Sequence, residues 1–165
     1  MKNKTISIKT CKQYDAKFIL EIYNSAIKRK YFNRTKSVKL EEHLKWFNTK
    51  LKEKITKIYI GFLNKKRIGY TRFDQVNKHC YELSIGISPK YYDKGFGSKM
   101  ITKSIKKFIN LRKIKKLSSV VKKKNPRSHK FFLKNGFKLT KFNKKKHSTI
   151  NKFNFKTLNY YEKKI

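Results

Sequence analysis

Acidic residues are scarce. Nine Asp and Glu stand against 46 Lys and Arg, and the formal net charge is +37 at pH 7. Only two cysteines occur, Cys11 and Cys80, which excludes a disulfide framework and a four-thiolate zinc site. The four histidines, His43, His79, His129 and His147, show no paired ligand spacing, so no metal is expected. Two prolines and six glycines form no linker, and no repeat divides the chain. No apolar run approaches the roughly 18 residues of a membrane span. The opening Met1-Lys-Asn-Lys-Thr-Ile-Ser-Ile lacks the apolar stretch of a secretory signal. A reducing, cytoplasmic setting is the expectation. What remains is 165 residues, 38% apolar and 15% aromatic, enough for one packed domain over 1–165 and against wholesale disorder.

Arginine is also scarce. Of the basic residues 40 are Lys, and only Arg29, Arg34, Arg67, Arg72, Arg112 and Arg127 are Arg. Arg is the bidentate reader of phosphate and guanine, and here the lysines spread from Lys2 to Lys164 instead of clustering. Lys, Asn, Ile, Phe and Tyr share A/T-rich codons, which accounts for the composition without a nucleic-acid partner. The positive field still attracts anionic substrates and cofactors.

Periodicity orders the chain. Ile6 and Ile8 alternate as a short strand; Phe18, Ile19, Ile22 and Tyr23 mark a helix over Asp15–Ala26. Leu40, Leu44, Phe47 and Leu51 mark a second helix. Lys57–Phe62 and Arg67–Phe73 read as strands around a turn at Asn64. Tyr81–Ile87 alternates Tyr81, Leu83, Ile85 and Ile87 against Glu82, Ser84 and Gly86, a strand with two distinct faces. Met100, Ile101, Ile105, Phe108 and Ile109 form the stripe of a third helix, and Leu117–Val121 a strand. Asn125-Pro126 opens a fourth helix that Gly136 ends. Final strands are expected at Phe137–Phe142 and Thr149–Leu158. This order predicts an α/β fold, a mixed sheet of about seven strands flanked by about four helices.

The segment Tyr91-Tyr92-Asp93-Lys94-Gly95-Phe96-Gly97-Ser98 joins a strand to a helix. Its glycines allow a sharp turn, and the first helical N–H groups have no internal partners, which makes a main-chain phosphate site. The spacing is neither the dinucleotide fingerprint, which fails at Met100, nor a P-loop. Thirty residues after Gly95 comes Asn125-x-x-Ser128-x-x-Phe131-Phe132-x-x-x-Gly136-Phe137.

Together these two motifs resemble the acetyl-CoA site of the GNAT superfamily of N-acetyltransferases. The resemblance implies that the amides of Lys94, Gly95, Phe96, Gly97 and Ser98 grip the diphosphate of acetyl-CoA. It implies that the strand carrying Leu83, Ile85 and Ile87 accepts the pantetheine arm by main-chain hydrogen bonds, beside a partner strand at Leu117–Val121. Asn125, Ser128 and Phe132 fall at cofactor-contacting places, although Asn125 is equally suited to cap its helix. Tyr92 occupies a slot where the family carries Arg or Gln. Phe132 occupies that of the Tyr that protonates the departing thiolate. The acid is then a neighbour such as Tyr91 or Tyr92, or the thiolate leaves unassisted, or catalysis is impaired.

Glu82 is the candidate catalytic base, on the strand face opposite Leu83; its alternative is a solvent-facing carboxylate paired with a lysine. Short words around Arg29, Tyr31-Phe32-Asn33, Glu42-His43-Leu44-Lys45-Trp46 and Arg72-Phe73-Asp74 are similar to GNAT members that acetylate nucleotide-linked amino sugars in pseudaminic and related nonulosonic acid synthesis. The resemblance thus implies a small, anionic amine substrate held by Phe32, Asn33, His43, Trp46, Arg72 and Asp74. His43 also reads as a plain hydrogen-bonding surface residue, and Arg72 and Asp74 as a mutual pair. The alternatives are a protein N-terminal acetyltransferase of ribosomal-protein type and a non-catalytic basic nucleic-acid module on the same fold.

Overall fold

The computed structural model describes residues 5–31, 34–141 and 157–165. Among them the order is β1 (Ile6–Thr10), α1 (Ala16–Lys28), α2 (Leu40–Lys52), β2 (Thr56–Leu63), β3 (Lys66–Asn77) and β4 (Cys80–Ile87). Then come α3 (Phe96–Ile109), β5 (Lys116–Lys122), α4 (Pro126–Lys134), β6 (Lys138–Thr140) and β7 (Leu158–Lys164). The strands form one sheet in the order β1-β2-β3-β4-β5-β7-β6. Neighbours run antiparallel except β4 and β5, which are parallel. This is the mixed α/β architecture expected from the order of elements.

Side-chain alternation builds two layers. On β2, Ile58 and Ile60 join Ile19, Ile22 and Phe47 under α1 and α2, while Tyr59 points to the opposite layer. There Tyr81 and Leu83 of β4 meet Phe73 of β3 and Ile101, Ile105 and Phe108 of α3. Phe108 stacks on Phe73 at 4.2 Å between ring centroids and takes the edge of Tyr81 at 4.9 Å. Between β2 and β3, Asn64 and Lys65 both have positive φ, 46° and 69°, the geometry of a two-residue hairpin turn that matches strand twist.

The two final strands depart from expectation. β6 covers only Lys138–Thr140. Phe142 and residues 149–156 lie outside the described residues, and the last strand sits later, at Leu158–Lys164. β7 is an inner strand, hydrogen-bonded to β5 on one side and β6 on the other. Its charged sequence conceals this, because only Tyr160 and Tyr161 are buried and Glu162 pairs with Lys116 at 2.8 Å.

Candidate active site

The parallel ladder of β4 and β5 is short. It runs from Cys80 opposite Lys116 to Glu82 opposite Ser118 and stops. Beyond it β4 stays bonded to β3 as far as Ile87 opposite Gly69, and β5 stays bonded to β7 as far as Lys122 opposite Leu158. The two strands therefore part after Glu82. A cleft of about 1300 Å³ opens there, lined by Ser84, Ile85, Gly86 and Ile87 on one side and Ser119, Val120, Val121 and Lys122 on the other. Main-chain groups along the open edge of β4 are free to bind an extended arm as an added strand.

The turn after β4 closes one end of this cleft. Asp93 and Gly95 have φ of 59° and 72°, so the backbone enters α3 through left-handed residues. Gly95 is the N-cap, and a Cβ added there meets nothing within 4 Å, so it would project into open space. The first bond of α3 runs from the N–H of Lys99 to the carbonyl of Gly95 at 3.4 Å. The N–H groups of Phe96, Gly97 and Ser98 thus precede the helical ladder, at the positive end of its dipole. Gly97 lies against Phe131 of α4, whose ring a Cβ would meet at 3.0 Å. Ser98 accepts a bond from Asn135 at 3.1 Å, tying the turn to α4.

Ile85, Ile87, Tyr92, Gly95, Gly97, Ser98, Asn125, Ser128 and Phe132 line the cleft. Leu83, Lys94 and Phe96 do not. Leu83 is packed in the core beneath α3, Phe96 in a second core cluster with Ile68 and Met100, and the Lys94 amine donates to the carbonyl of Lys90 at 3.0 Å. Leu83 and Phe96 offer a ligand only their main chains, whereas the Lys94 side chain is exposed. Asn125 caps α4: its Oδ1 accepts the N–H of Ser128 at 3.1 Å, which leaves its amide nitrogen to face the cleft.

At the opposite end β3 and β4 present one polar face. Asp74 lies across from Glu82 and Arg72 across from Ser84. Arg72 donates to Asp74 at 2.6 Å, and its guanidinium sits 5.3 Å from the Trp46 ring centroid. Thr56 donates to both Asp74 and Glu53. Arg72 and Asp74 thus form a mutual pair that also lines the cleft. The Glu82 carboxylate has no hydrogen bond or salt bridge among the described residues, which replaces the alternative of a lysine-paired carboxylate. Burial lifts its carboxyl above the usual carboxylate range; Arg72 draws it down and Asp74 pushes it up.

His43 is a correction. It is not a surface residue but 5% exposed, stacked on Phe47 at 5.6 Å and lining the cleft beside Trp46. Burial holds its ring below the usual histidine range, and Nε2 lacks a partner. Phe32 and Asn33 lie outside the described residues. Sequence reasoning missed Tyr70, although it shares strand parity with Arg72 and Asp74 and lines the same cleft. It also missed Arg34, which grips Glu42 with two bonds at 2.7 and 2.8 Å; no local signal announces a contact eight residues apart across a loop. Among the described residues no cluster of His, Cys, Asp or Glu could hold a metal.

Parted parallel strands, bare amides at one end and an unpaired carboxylate at the other suit an acyl carrier with a phosphate handle and an extended arm. The residues present fit acetyl-CoA. The family model for the acetyltransferase (GNAT) domain matches residues 6–138, and the chain belongs to that family of acyltransferases, which use acetyl-CoA. The fold is similar to that of a domain from Methanocaldococcus jannaschii, with 22% identity, a TM-score of 0.79 and coverage of 99% of this chain and 100% of that one. It is similar to a spermidine N-acetyltransferase from Vibrio cholerae in complex with CoA and spermine (17% identity, TM-score 0.75, 97% and 94% covered). A ribosomal-protein-alanine N-acetyltransferase from Brucella melitensis is also similar (17% identity, TM-score 0.75, 96% and 99% covered). No curated protein sequence matches at a significant level.

Proposed function

We propose that residues 1–165 form a single N-acetyltransferase domain that moves the acetyl group of acetyl-CoA to a primary amine, with Glu82 as the base. The observation that carries this reading is the position of Glu82, an unpaired carboxylate on the last residue pair before β4 and β5 part. Acetyl-CoA, when bound, supplies an activated thioester carbonyl. Glu82 takes the proton of the incoming ammonium, directly or through water, and its raised pKa makes it a stronger base than a solvated carboxylate. The open edge of β4 positions the arm, and the apolar walls of Ile85, Val121 and Phe132 exclude water. Phe132 has no hydroxyl to give. Tyr91 and Tyr92 follow the end of β4, which itself lies five strand residues, about 17 Å of extended chain, beyond Glu82. An acid from this chain would not be required, because a thiol pKa of about 8.5 would let the coenzyme leave as thiolate. The buried free thiols Cys11 and Cys80 fit a reducing cytoplasm.

Two acceptor classes draw on different observations. The nucleotide-linked amino sugar draws on Trp46, whose ring is a platform for a base, and on the positive field of the whole chain. An amine without phosphate draws on the local pairing: Arg34 is held by Glu42, Arg72 by Asp74 and Lys50 by Glu53, while Glu82 stays unpaired. Among the described residues, Arg34, Lys50 and Arg72 at the acceptor end are each held by a carboxylate, so the second class fits this end better. The amines named for the structural relatives, spermidine and a ribosomal-protein alanine, belong to it.

Saturating acetyl-CoA should raise the melting temperature. At one hundred times Kd a folded-state ligand adds about 2.7 kcal/mol, or roughly 5–11 °C for a chain of this size. An unmoved transition would remove the acetyltransferase reading. Turnover with amino-sugar nucleotides, polyamines and peptide N-termini should then favour the phosphate-free amines by kcat/KM; a preference for the sugar nucleotides would restore the anionic acceptor.

A further inference from the structure

Two arginines converge on one ring at the phosphate end of the cleft. The guanidinium carbon of Arg29 lies 4.6 Å from the Tyr92 ring centroid, and that of Arg127 lies 4.2 Å from it. Arg29 is the C-cap residue of α1, Arg127 belongs to the first turn of α4, and Tyr92 stands just before the turn into α3. Three elements thus meet at the Tyr92 ring; Tyr92 and Arg127 line the cleft with Gly95, Gly97 and Ser98, while Arg29 reaches only the ring and is not among the lining residues.

The other arginines are committed elsewhere. Arg34, Arg67 and Arg72 each hold a carboxylate, and Arg112 donates to the carbonyl of Lys54. The Arg29 side chain has no hydrogen bond or salt bridge among the described residues; the Tyr92 ring is its contact. Besides the Tyr92 ring, Arg127 pairs with Asp93 at 2.9 Å through one nitrogen of its fork, and both partners are exposed. Stacking on an aromatic face orients a guanidinium while leaving its N–H edge free. Two like charges gathered on one ring repel, and a bound polyanion relieves that repulsion while accepting the free N–H groups.

We propose that Arg29 and Arg127, racked on the ring of Tyr92, form a side-chain clamp for the phosphates at the nucleotide end of the coenzyme. The inference rests on the acetyl-CoA reading of the cleft. It assigns to two residues from other elements the charge that an Arg at position 92 would have carried, and it gives Tyr92 a positioning role through its ring rather than its hydroxyl.

The test is calorimetric titration of the full chain with CoA and with 3′-dephospho-CoA, at 50 and 300 mM salt. Arg29→Ala with Arg127→Ala should weaken CoA binding about tenfold or more at low salt, as the loss of charged hydrogen bonds implies. The salt dependence should become shallower than that of the wild type. Tyr92→Ala should follow the double variant, and Tyr92→Phe should bind like the wild type. A penalty that vanishes with dephospho-CoA assigns the clamp to the 3′-phosphate, and one that persists assigns it to the diphosphate; both support it. Unliganded melting temperatures report whether each variant folds; if the double variant does not, Arg29→Ala alone takes its place under the same criteria. Binding within twofold of the wild type, or an equal salt dependence in both, overturns the clamp while leaving the coenzyme reading intact. A wild-type chain that does not bind CoA at all overturns the coenzyme reading and the clamp with it.

Discussion

Glu82→Gln should lower kcat by about 10²–10⁴-fold, the range typical for removing a positioned general base, while CoA affinity stays within about twofold. Gln keeps the shape and cannot take a proton. In the wild type, kcat/KM should fall as pH drops through the Glu82 pKa, which burial places above the usual carboxylate range. The variant should lose that acid limb. The stability effect has the opposite sense. A carboxyl whose folded pKa is raised binds its proton more tightly in the folded chain, so its contribution to stability declines as pH rises through that pKa. At neutral pH the buried charge is a cost, and Glu82→Gln should melt no lower than the wild type. Unchanged turnover, or an acid limb that survives the substitution, would disqualify Glu82.

Phe108→Ala should cost about 3–5 kcal/mol, the usual range for truncating a buried aromatic. Phe108 is 1% exposed and touches elements on both sides of the cleft's support. It stacks on Phe73 of β3, meets Tyr81 of β4 edge-on and belongs to the helix that begins at the phosphate turn. At about 2–4 °C per kcal/mol for a chain of this size, the melting temperature should drop by roughly 6–20 °C. A drop below 3 °C in a thermal melt would show that the core does not pass through this stack. CoA affinity should weaken as well, because β4 and the turn into α3 are registered against each other through this ring.

The parts of this architecture that were legible in the sequence are those written in short periods. The alternation of Tyr81 and Leu83 against Glu82 and Ser84 places Glu82 on the face away from α3, and the structure keeps that parity. Gly95 was readable because only a residue free of Cβ strain enters a helix at φ of 72° without cost. β7 was not readable, because its place inside the sheet depends on pairing with β5 and β6 and not on apolar content. The burial of His43 comes from α1 packing over α2, and nothing in the run Glu42-His43-Leu44 marks it. Phe96 and Phe132 look alike as aromatic residues near a motif, and both are buried, yet only Phe132 also lines the cleft. The clamp residues are separated by 63 and 35 positions from Arg29 to Tyr92 and from Tyr92 to Arg127, so only tertiary structure brings them together.

The parting of β4 from β5 leaves a seam of unsatisfied strand backbone in the middle of the sheet, where most sheets have none. Such a seam is a template for any extended chain, a misfolded copy of this protein included. A coenzyme arm seated there would hide it, so occupancy of the cleft would guard the enzyme against self-association as well as equip it for chemistry, and the unliganded chain would be the one prone to associate.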